Sequence, residues 1–383
     1  MGAIYLDYAA ATPLDERVFV AMRPYLTEAF YNPSAMYDAA RAVRADVETA
    51  RHRLAMAIGA KTNEIIFTAG ATESINLAIH GVLRTIGGTV VTTPIEHPAV
   101  LAAARCSICR FVPVDAYGFV TADVLAQTID DDTTLVSIGY ANNELGTVQS
   151  LRVAAEVIAS VREQRRARGL DRPIYLHTDA SQAAGALDLS VARLGVDLMT
   201  LNAAKCYGPK QVGLLWLRSD IVLAPLIDGG GQERGLRSGT ENVAGIVGFA
   251  EALSLAIAVR KTEAHRQAML RDRLQTQLER DIPDMVVNTP AKRRLPNFLH
   301  FSVPGLDGER AVFALDQAGV MVATGSACAA NKGLRSHVLS AVGMSDELAD
   351  GSIRITLGRP TTEVDIDQAA QQIIAVIKRE RGR

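Results

Sequence analysis

The chain contains 383 residues, of which 48% are hydrophobic and 21% charged, and its formal net charge is −2. This composition is typical of a soluble globular enzyme and excludes a disordered chain, and the balanced charge argues against a nucleic-acid-binding or anionic-membrane surface. The length predicts two or three domains, with enough core for one large α/β unit.

From about residue 60 onward, short β-rich runs alternate with longer helical patterns. The predicted strands are residues 65–68, 90–93, 110–114, 135–138, 174–177, 198–201 and 213–217, and the clearest helices between them are residues 73–83 and 153–168. This alternation predicts a mostly parallel sheet covered by helices on both faces. In such sheets ligands bind beyond the carboxyl ends of the strands, so we expect the functional residues there.

The pattern changes after about residue 255. The predicted elements there are a charged helix at 261–281, apolar runs at 298–303, 320–323 and 352–357, a helix from residue 309 and a final helix at 363–378. We interpret them as a smaller α+β domain that the first residues of the chain complete. The predicted division is a large domain of residues 14–257 and a small domain of residues 1–13 plus 258–383, which carries a loop at about 323–336.

Nothing in the sequence indicates export or a membrane. Residues 1–7 lack the basic region and apolar run of a signal peptide, and no run of about 18 uninterrupted apolar residues is present. Four cysteines do not make a disulfide framework, so we expect a cytoplasmic protein. Cys106 and Cys109 have the spacing of a redox or metal half-site, but no second pair accompanies them, and we predict no metal site.

Two residues at the ends of successive predicted strands point to a cofactor. Asp179 follows the strand at 174–177, and Lys205 comes shortly after the strand at 198–201. Pyridoxal 5'-phosphate (PLP) needs a lysine that forms a Schiff base with its aldehyde and an acid that keeps its pyridine nitrogen protonated. The sequence therefore predicts that PLP is the cofactor.

Other predicted strand ends carry residues that suit this cofactor. Ala71 and Thr72 lie in a glycine-containing turn before a helix, where backbone N–H groups and a hydroxyl can bind a phosphate. His97 opens a predicted helix, so its ring can stack on a planar cofactor and exchange protons, or can simply cap the helix. Asn143 and Gln182 suit hydrogen bonding to a phenolate oxygen, although an asparagine near glycine is also a common turn former.

Two basic features and a cysteine complete the set of candidates. Residues 229–240 are glycine-rich and basic, which favours either a flexible loop or a backbone shaped around an anion. Arg354, in a predicted strand, either offers a fork for a substrate carboxylate or forms a structural salt bridge. Cys328 lies among small residues, which predicts an exposed loop with a reactive thiolate rather than a core position.

Together these residues resemble the cysteine desulfurases of the class V aminotransferase family, in the group whose active cysteine sits in a long Gly-Ser-Ala-Cys loop. The resemblance covers nearly the whole chain. It rests on residues 5–13, 32–34, 70–74, 96–97, 142–146, 179–182, 205–210, 229–240, 325–328 and 352–354. It implies fold type I of the PLP-dependent transferases, which is aspartate aminotransferase-like: a large domain with a mostly parallel sheet and a smaller α+β domain.

The resemblance also implies a reaction. L-Cysteine would displace Lys205 from the cofactor while Asn32 and Arg354 hold the carboxylate of the substrate. Lys205 would then remove the Cα proton. The thiolate of Cys328 would attack the substrate sulfur, which leaves a persulfide on Cys328 and releases alanine. The sulfur would pass to an acceptor protein: an iron–sulfur scaffold, a tRNA-thiolation protein or a DNA-modifying complex.

The remaining implied roles concern the cofactor and the oligomer. Asp179 would hold the ring nitrogen, and His97 would cover the ring. Thr72 and the partner subunit's Thr240 would hold the phosphate, so the resemblance implies a homodimer.

Several departures from the family pattern affect these expectations. Relatives usually place Ser-x-His directly before the lysine, with both polar side chains on the phosphate, whereas this chain has Asn202-Ala203-Ala204. Asn202 can still donate a hydrogen bond, but the contact missing at Ala204 is expected to cost about 1.5–3 kcal/mol of cofactor affinity. Cys206 is interpreted as a packing residue, and Tyr37 stands where relatives commonly carry histidine. The chain also ends soon after its last predicted helix, without the extension that many relatives use to dock an iron–sulfur scaffold, so the acceptor is not assigned.

Three other functions remain open from the sequence: a selenocysteine lyase, a class V aminotransferase and a degenerate, non-catalytic binding subunit of the same fold. An aminotransferase needs no thiol, so Cys328 argues against it. A decayed site tends to lose its reactive groups, whereas Lys205, Asp179 and His97 are all present. Ala204 is the main feature in favour of the binding subunit.

Overall fold

The computed structural model describes residues 3–325 and 335–382, and its strands form three sheets. The strands are β1 (Ile4–Tyr5), β2 (Ile65–Thr68), β3 (Thr89–Thr92), β4 (Cys109–Phe111), β5 (Thr133–Ser137), β6 (Tyr175–Asp179), β7 (Leu198–Asn202), β8 (Gly213–Leu217), β9 (Val286–Val287), β10 (Phe298–Ser302), β11 (Val320–Met321) and β12 (Ser352–Thr356). The α-helices are α1 (Glu16–Met22), α2 (Pro24–Thr27), α3 (Asp38–Ile58), α4 (Ala71–Ile86), α5 (Pro98–Ala104), α6 (Ala122–Thr128), α7 (Leu151–Ala167), α8 (Val191–Leu194), α9 (Val243–Asp281), α10 (Gly308–Gln317), α11 (His337–Ala341), α12 (Asp346–Asp350) and α13 (Glu363–Arg381).

The main sheet has the strand order β2-β8-β7-β6-β5-β3-β4. Strand β8 pairs antiparallel with both of its neighbours, and the neighbouring pairs from β7 to β4 are all parallel. The prediction of a mostly parallel sheet is therefore confirmed, and each of its seven predicted strands overlaps an observed one. The carboxyl ends of the parallel strands meet at one edge of this sheet, where ligands are expected to bind.

The strands of the main sheet are apolar on both faces because both faces are covered. In β2, Ile65 and Phe67 belong to a core on one face, whereas Ile66 belongs to a second core on the other. Strand β3 repeats the pattern, with Val91 in the first core and Val90 in the second. Alternate side chains of a strand point to opposite faces, so a strand between two layers of helices reads as a continuous apolar run.

The beginning of the chain pairs with its last third. Strand β1 runs parallel to β11, and strands β12, β10 and β9 form an antiparallel sheet with a third core around them. Isolated bridges join Asp7 to Thr356 and Ala323 to Arg354. These pairings agree with an N-terminal segment that completes the smaller α+β unit, while the domain boundaries themselves stay a prediction.

Helix α9 differs from the prediction, since it begins at Val243 and not near residue 261. Its first half packs in the core of the main sheet through residues such as Phe249 and Leu253, and its last turns pack in the smaller core through Leu270 and Leu274. The first half is buried on most sides, so its sequence lacks the polar face by which an amphipathic helix is recognised.

By length and composition, helix α9 could also cross a membrane. However, 56% of its apolar window is buried inside the protein, as in the core helix of a globular domain. Packing against the main sheet accounts for its apolar character.

A buried histidine makes the stability of the fold depend on pH. His300 in β10 lies opposite Arg354 in β12, and burial together with the charge of Arg354 lowers the pKa of its imidazole to about 3. The unfolded chain takes up this proton near the ordinary value of 6.5, so the free energy of unfolding falls as the pH drops through this range. In His300→Gln, the free energy of unfolding measured with urea should depend less on pH. Its slope between about pH 6 and 4 should be smaller by about 1.4 kcal/mol per pH unit.

The exposed His52 supplies the control for this measurement, since His52→Gln should leave the pH dependence as in the unsubstituted protein. If the free energy of unfolding had the same pH slope in the unsubstituted protein and in His300→Gln, the assignment of this pH dependence to His300 would be contradicted.

Candidate active site

A cavity of about 210 Å³ opens at the carboxyl edge of the main sheet. Its walls come from the segments that follow β2, β3, β5, β6 and β7, together with the N-terminal segment and β12. Nine of the residues singled out in the sequence line it: Ala71, Thr72, His97, Asn143, Asp179, Gln182, Asn202, Lys205 and Arg354. The sheet thus brings together side chains that are far apart in sequence.

Lys205 and Asp179 are placed by neighbouring parallel strands. Asp179 is the last residue of β6, and Lys205 ends the short turn that follows β7. Lys205 Nζ donates hydrogen bonds to the backbone oxygens of Ala9 and Ala10, both at 2.7 Å. The backbone N–H of Ser181 donates to Asp179 Oδ1 at 2.9 Å and orients the carboxylate. An amine and an acid therefore face one cavity from adjacent strand ends.

Gln182 and the N-terminal segment close one side of the cavity. Gln182 Nε2 donates to the backbone oxygen of Ala9 at 3.0 Å, the same oxygen that accepts from Lys205. The carbonyl groups of the N-terminal segment thus gather two functional side chains. The position of Ala9 and Ala10 in the cavity wall is a feature that the sequence did not indicate.

His97 caps helix α5 and lies in the cavity wall. Its Nδ1 accepts a hydrogen bond from the backbone N–H of Ala99 at 3.1 Å, so the capping role considered from the sequence is present. Desolvation lowers the pKa of the His97 imidazole, the charge of Asp179 opposes this, and Lys205 and His337 lower it further. The ring still reaches solvent.

Glu96, next to His97, is a cavity residue that the sequence analysis missed. Its carboxylate accepts from Thr93 Oγ1 at 2.7 Å and from the backbone N–H of Gly139 at 3.0 Å. Burial raises the pKa of this carboxyl group to about 7. Residues 96–97 belong to the family resemblance, but a glutamate beside a histidine normally indicates a solvated turn, so no role was predicted for Glu96.

Helix α4 presents its N-terminus to the cavity. The helix starts at Ala71, its capping residue Gly70 has a φ of 133°, and no side chain caps its first N–H groups. Gly213 makes this arrangement possible, because a Cβ there would lie 2.7 Å from the backbone of Gly70. An uncapped helix N-terminus that faces a cavity favours an anion.

The residues just before Lys205 offer one polar side chain to the cavity, that of Asn202. Asn202 lines the cavity, and its side-chain oxygen accepts from the backbone N–H of Ala204 at 3.2 Å. Ala204 offers no polar side chain, and its carbonyl oxygen accepts from Thr12 Oγ1 at 3.0 Å. Among the side chains of residues 202–204, the amide nitrogen of Asn202 is thus the group that can donate a hydrogen bond to an anion.

Arg354 is a buried cation at the cavity. Its side chain is 2% exposed, Nη2 donates to Asp7 Oδ1 at 2.6 Å, and Nη1 donates to the backbone oxygen of Asn143 at 2.9 Å. Its Nε has no hydrogen-bond partner within residues 3–325 and 335–382. The sequence left open whether Arg354 forms a structural salt bridge or binds a substrate carboxylate. The salt bridge is present, and the position of Arg354 in the cavity wall leaves the second role possible as well. Asp7 was missed because its partner lies at the other end of the chain.

The structure does not bring every predicted residue into this cavity. Asn32 does not line it, and its side-chain oxygen accepts from the backbone N–H of Ser34 at 2.9 Å. Thr240 is exposed and does not line the cavity of its own chain. Cys328 lies outside the described residues.

The other three cysteines do not line the cavity. Cys206 is buried, its Sγ donates to the backbone oxygen of Ala203 at 3.4 Å, and burial raises the pKa of its thiol to about 12. This agrees with its interpretation as a packing residue. Cys106 is exposed and Cys109 is partly buried; both are free thiols, and burial raises the pKa of each.

Comparison with known proteins identifies the family. The profile of the family Aminotransferase class-V matches residues 4–369. The chain belongs to the class V aminotransferase family. It is 44% identical to "Cysteine desulfurase IscS" of Dictyoglomus turgidum, over 99% of this chain and 95% of that protein. It is 40% identical to "Cysteine desulfurase IscS 1" of Archaeoglobus fulgidus, over 99% of this chain and 98% of that protein.

Solved structures agree with this assignment. The structure of a "NifS-like protein" superposes with a TM-score of 0.90 at 34% identity and covers 98% of this chain and 99% of its own. The structure of "SspA in complex with cysteine" superposes with a TM-score of 0.78 at 32% identity and covers 92% of this chain and 98% of its own. The fold is therefore PLP-dependent fold type I, and the family uses PLP.

The ion pair of Arg354 generates a prediction on stability. Asp7→Asn would leave a buried guanidinium without its counter-charge, which typically costs about 3–5 kcal/mol, and a lower midpoint of thermal unfolding should show this loss. The control is Asp367→Asn, which breaks the exposed pair with Arg273 and should cost about 0–1 kcal/mol. Equal shifts for the two variants would contradict the burial argument.

Proposed function

We propose that this protein is a PLP-dependent cysteine desulfurase, which converts L-cysteine to L-alanine and carries the sulfur as a persulfide on Cys328. The observation behind the proposal is the meeting of Lys205, Asp179 and Arg354 around one cavity. An amine, an acid and a carboxylate-binding fork are the groups that a PLP enzyme acting on amino acids needs. The relatives named cysteine desulfurase support the same activity here.

The donors of the cavity fit PLP at the ring. Lys205 would bond to the aldehyde carbon, Asp179 would pair with the ring nitrogen, and the neutral ring of His97 would cover the face. Asn143 and Gln182 would donate to the phenolate oxygen. When bound, PLP draws electrons from the Cα of an amino-acid substrate.

The N-terminus of helix α4 fits the phosphate. The backbone N–H groups of Ala71 and Thr72, the hydroxyl of Thr72 and the amide of Asn202 would hold it, with the partner subunit's Thr240. The absence of a polar side chain at Ala204 makes this site weaker than the family pattern.

Arg354 would hold the substrate carboxylate, and the role predicted for Asn32 as a second donor has no support in the cavity, which Asn32 does not line. The pair with Asp7 and the bond to the carbonyl of Asn143 fix the orientation of the guanidinium before substrate arrives. A preorganised fork loses little side-chain entropy on binding. This geometry favours an α-amino acid, and the solved complex of the relative SspA with cysteine supports L-cysteine as that amino acid.

The proposed chemistry needs no external oxidant. Lys205 Nζ takes the Cα proton, and Sγ of Cys328 then bonds to the substrate sulfur as the Cβ–S bond breaks. The electron pair of that bond stays with Cβ, which gains a proton. L-Cysteine and the thiol of Cys328 thus give L-alanine and a Cys328 persulfide.

The surface near residues 19–37 supports a homodimer. Six large apolar side chains there are more than 40% exposed, which is unusual for a monomer. They are Phe19, Val20, Leu26, Phe30, Met36 and Tyr37. The loop at 229–240 would complete the neighbouring site through Thr240.

Two ion pairs fix this loop on the surface. Glu233 accepts from both terminal nitrogens of Arg51 at 2.7 Å, and Arg237 Nε donates to Glu73 Oε1 at 2.9 Å. A loop that is held by one buried and one partly buried ion pair and exposes Thr240 at its end is suited to reach a second subunit.

An aminotransferase and a non-catalytic subunit fit the site less well. An aminotransferase needs no thiol, so Cys328 argues against it, and a non-catalytic subunit would not need the amine, acid and guanidinium that Lys205, Asp179 and Arg354 bring to the cavity. We further propose that the sulfur acceptor is another protein, such as an iron–sulfur scaffold, a tRNA-thiolation protein or a DNA-modifying complex, and that the enzyme acts in the cytoplasm.

Replacement of the proposed nucleophile tests the function. Cys328→Ser should keep the visible absorption band of bound PLP, because no group that holds the cofactor changes, yet form no alanine from L-cysteine. Cys106→Ser, which replaces an exposed thiol, is the matched control and should be fully active. Unchanged alanine formation by Cys328→Ser would contradict the proposal.

A further inference from the structure

Glu144 is a fully buried carboxylate to which the proposed reaction assigns no role, and it lies between the two ends of the segment that carries Cys328. On one side, Ser336 Oγ donates to Glu144 Oε2 at 2.5 Å. On the other side, a Cβ placed on Gly325 would lie 3.2 Å from the same oxygen. Residues 325 and 336 therefore meet at one carboxylate.

The hydrogen bond between Ser336 and Glu144 has a fixed direction. The hydroxyl oxygen of Ser336 accepts from the backbone N–H groups of Val338, at 3.1 Å, and Leu339, at 3.3 Å, at the start of helix α11. A hydroxyl has one proton and two acceptor positions, so its proton goes to Glu144. Helix α11 is thus attached to Glu144 through its capping residue.

The turn that carries Glu144 is rigid and is joined to the substrate side of the cavity. Asn142 Oδ1 accepts from the backbone N–H groups of Glu144 and Leu145, both at 2.9 Å. The carbonyl oxygen of Asn143 accepts from Arg354 Nη1 at 2.9 Å. Glu144 is therefore held beside the arginine that would bind the substrate carboxylate.

Both flanks of the Cys328 segment contact this same region. Ala323 and Arg354 exchange backbone hydrogen bonds at 2.6 Å and 3.2 Å, so the first flank starts next to Arg354. In the second flank, Val338 and Leu339 pack in one apolar cluster with Leu145. The flanks are therefore fixed relative to the cavity on both sides of Glu144.

We propose that Glu144 is a positioning residue for the Cys328 thiolate. Glu144 binds Ser336 and lies against Gly325, so it fixes residue 336, after the Cys328 segment, next to residue 325 and beside Arg354. Tethering a nucleophile close to its target raises its effective concentration there, and small displacements are costly. Glu144 touches neither the proposed cofactor site nor the substrate. This inference rests on the proposed role of Cys328.

A comparison of the first-turnover rate with the binding of L-cysteine distinguishes a positioning role from general disruption of the site. In the PLP-loaded enzyme, Glu144→Ala should lower the rate of alanine formation in the first turnover by about 10- to 100-fold. Binding of L-cysteine, followed by titration of the visible absorption band, should stay within about twofold, because Arg354 is unchanged. Ser336→Ala removes the same hydrogen bond from the other side and should give the same split.

Two further variants sharpen the test. Glu144→Gln keeps an oxygen that accepts from Ser336 and should restore the first-turnover rate to within about threefold. The double variant Glu144→Ala/Ser336→Ala should lose no more than either single variant, as expected for partners in one interaction. Glu347→Gln, an exposed position in the nearby helix α12, is the matched control and should behave as the unsubstituted enzyme.

A measurement without turnover supplies the second readout. In Glu144→Ala, hydrogen exchange of residues 335–341 should become faster, while residues 198–205 keep their protection. If Glu144→Ala does not fold, Ser336→Ala carries the test on its own.

Wild-type first-turnover rates in both Glu144→Ala and Ser336→Ala would overturn the inference, and so would losses of rate and of L-cysteine affinity of the same size. Cys328→Ser separates this failure from failure of the proposed function. An inactive Cys328→Ser together with fully active Glu144→Ala and Ser336→Ala variants overturns only the role of Glu144. An active Cys328→Ser overturns both.

Discussion

The buried charge of Arg354 is the constraint on which the site depends. A guanidinium inside a protein is costly unless it is paired and hydrogen-bonded, and here Asp7 and the carbonyl oxygen of Asn143 meet that need. Asp7 begins the segment whose carbonyl groups at Ala9 and Ala10 accept from Lys205. One ion pair therefore fixes the N-terminal segment, the turn beside the cavity and the direction of the lysine together.

The electrostatics of the cavity follow from burial. Desolvation lowers the pKa of His97 and raises that of Glu96 to about 7, because it disfavours the charged form of each group. Asp179 and Arg354 are the acid and the guanidinium to which the proposed reaction gives a role.

Local features could be predicted from the sequence, and distant pairings could not. The seven strands of the main sheet were recognised because burial on both faces makes them apolar runs. Lys205 and Asp179 were recognised because a lysine and an acid at the ends of successive strands are the pair that PLP needs. Asp7 and Glu144 were missed because their partners lie 347 and 192 residues away in the sequence. The start of helix α9 was missed because its buried half has no polar face.

The most direct test of the account is an absorption spectrum of the purified protein before and after addition of L-cysteine, with alanine assayed in the same tube. The account predicts a visible band that shifts with L-cysteine, and alanine whose formation is blocked when Cys328 is alkylated. A protein that stays colourless in excess PLP would contradict the account. It would show that the missing donor at Ala204 has disabled the site and would favour the binding subunit.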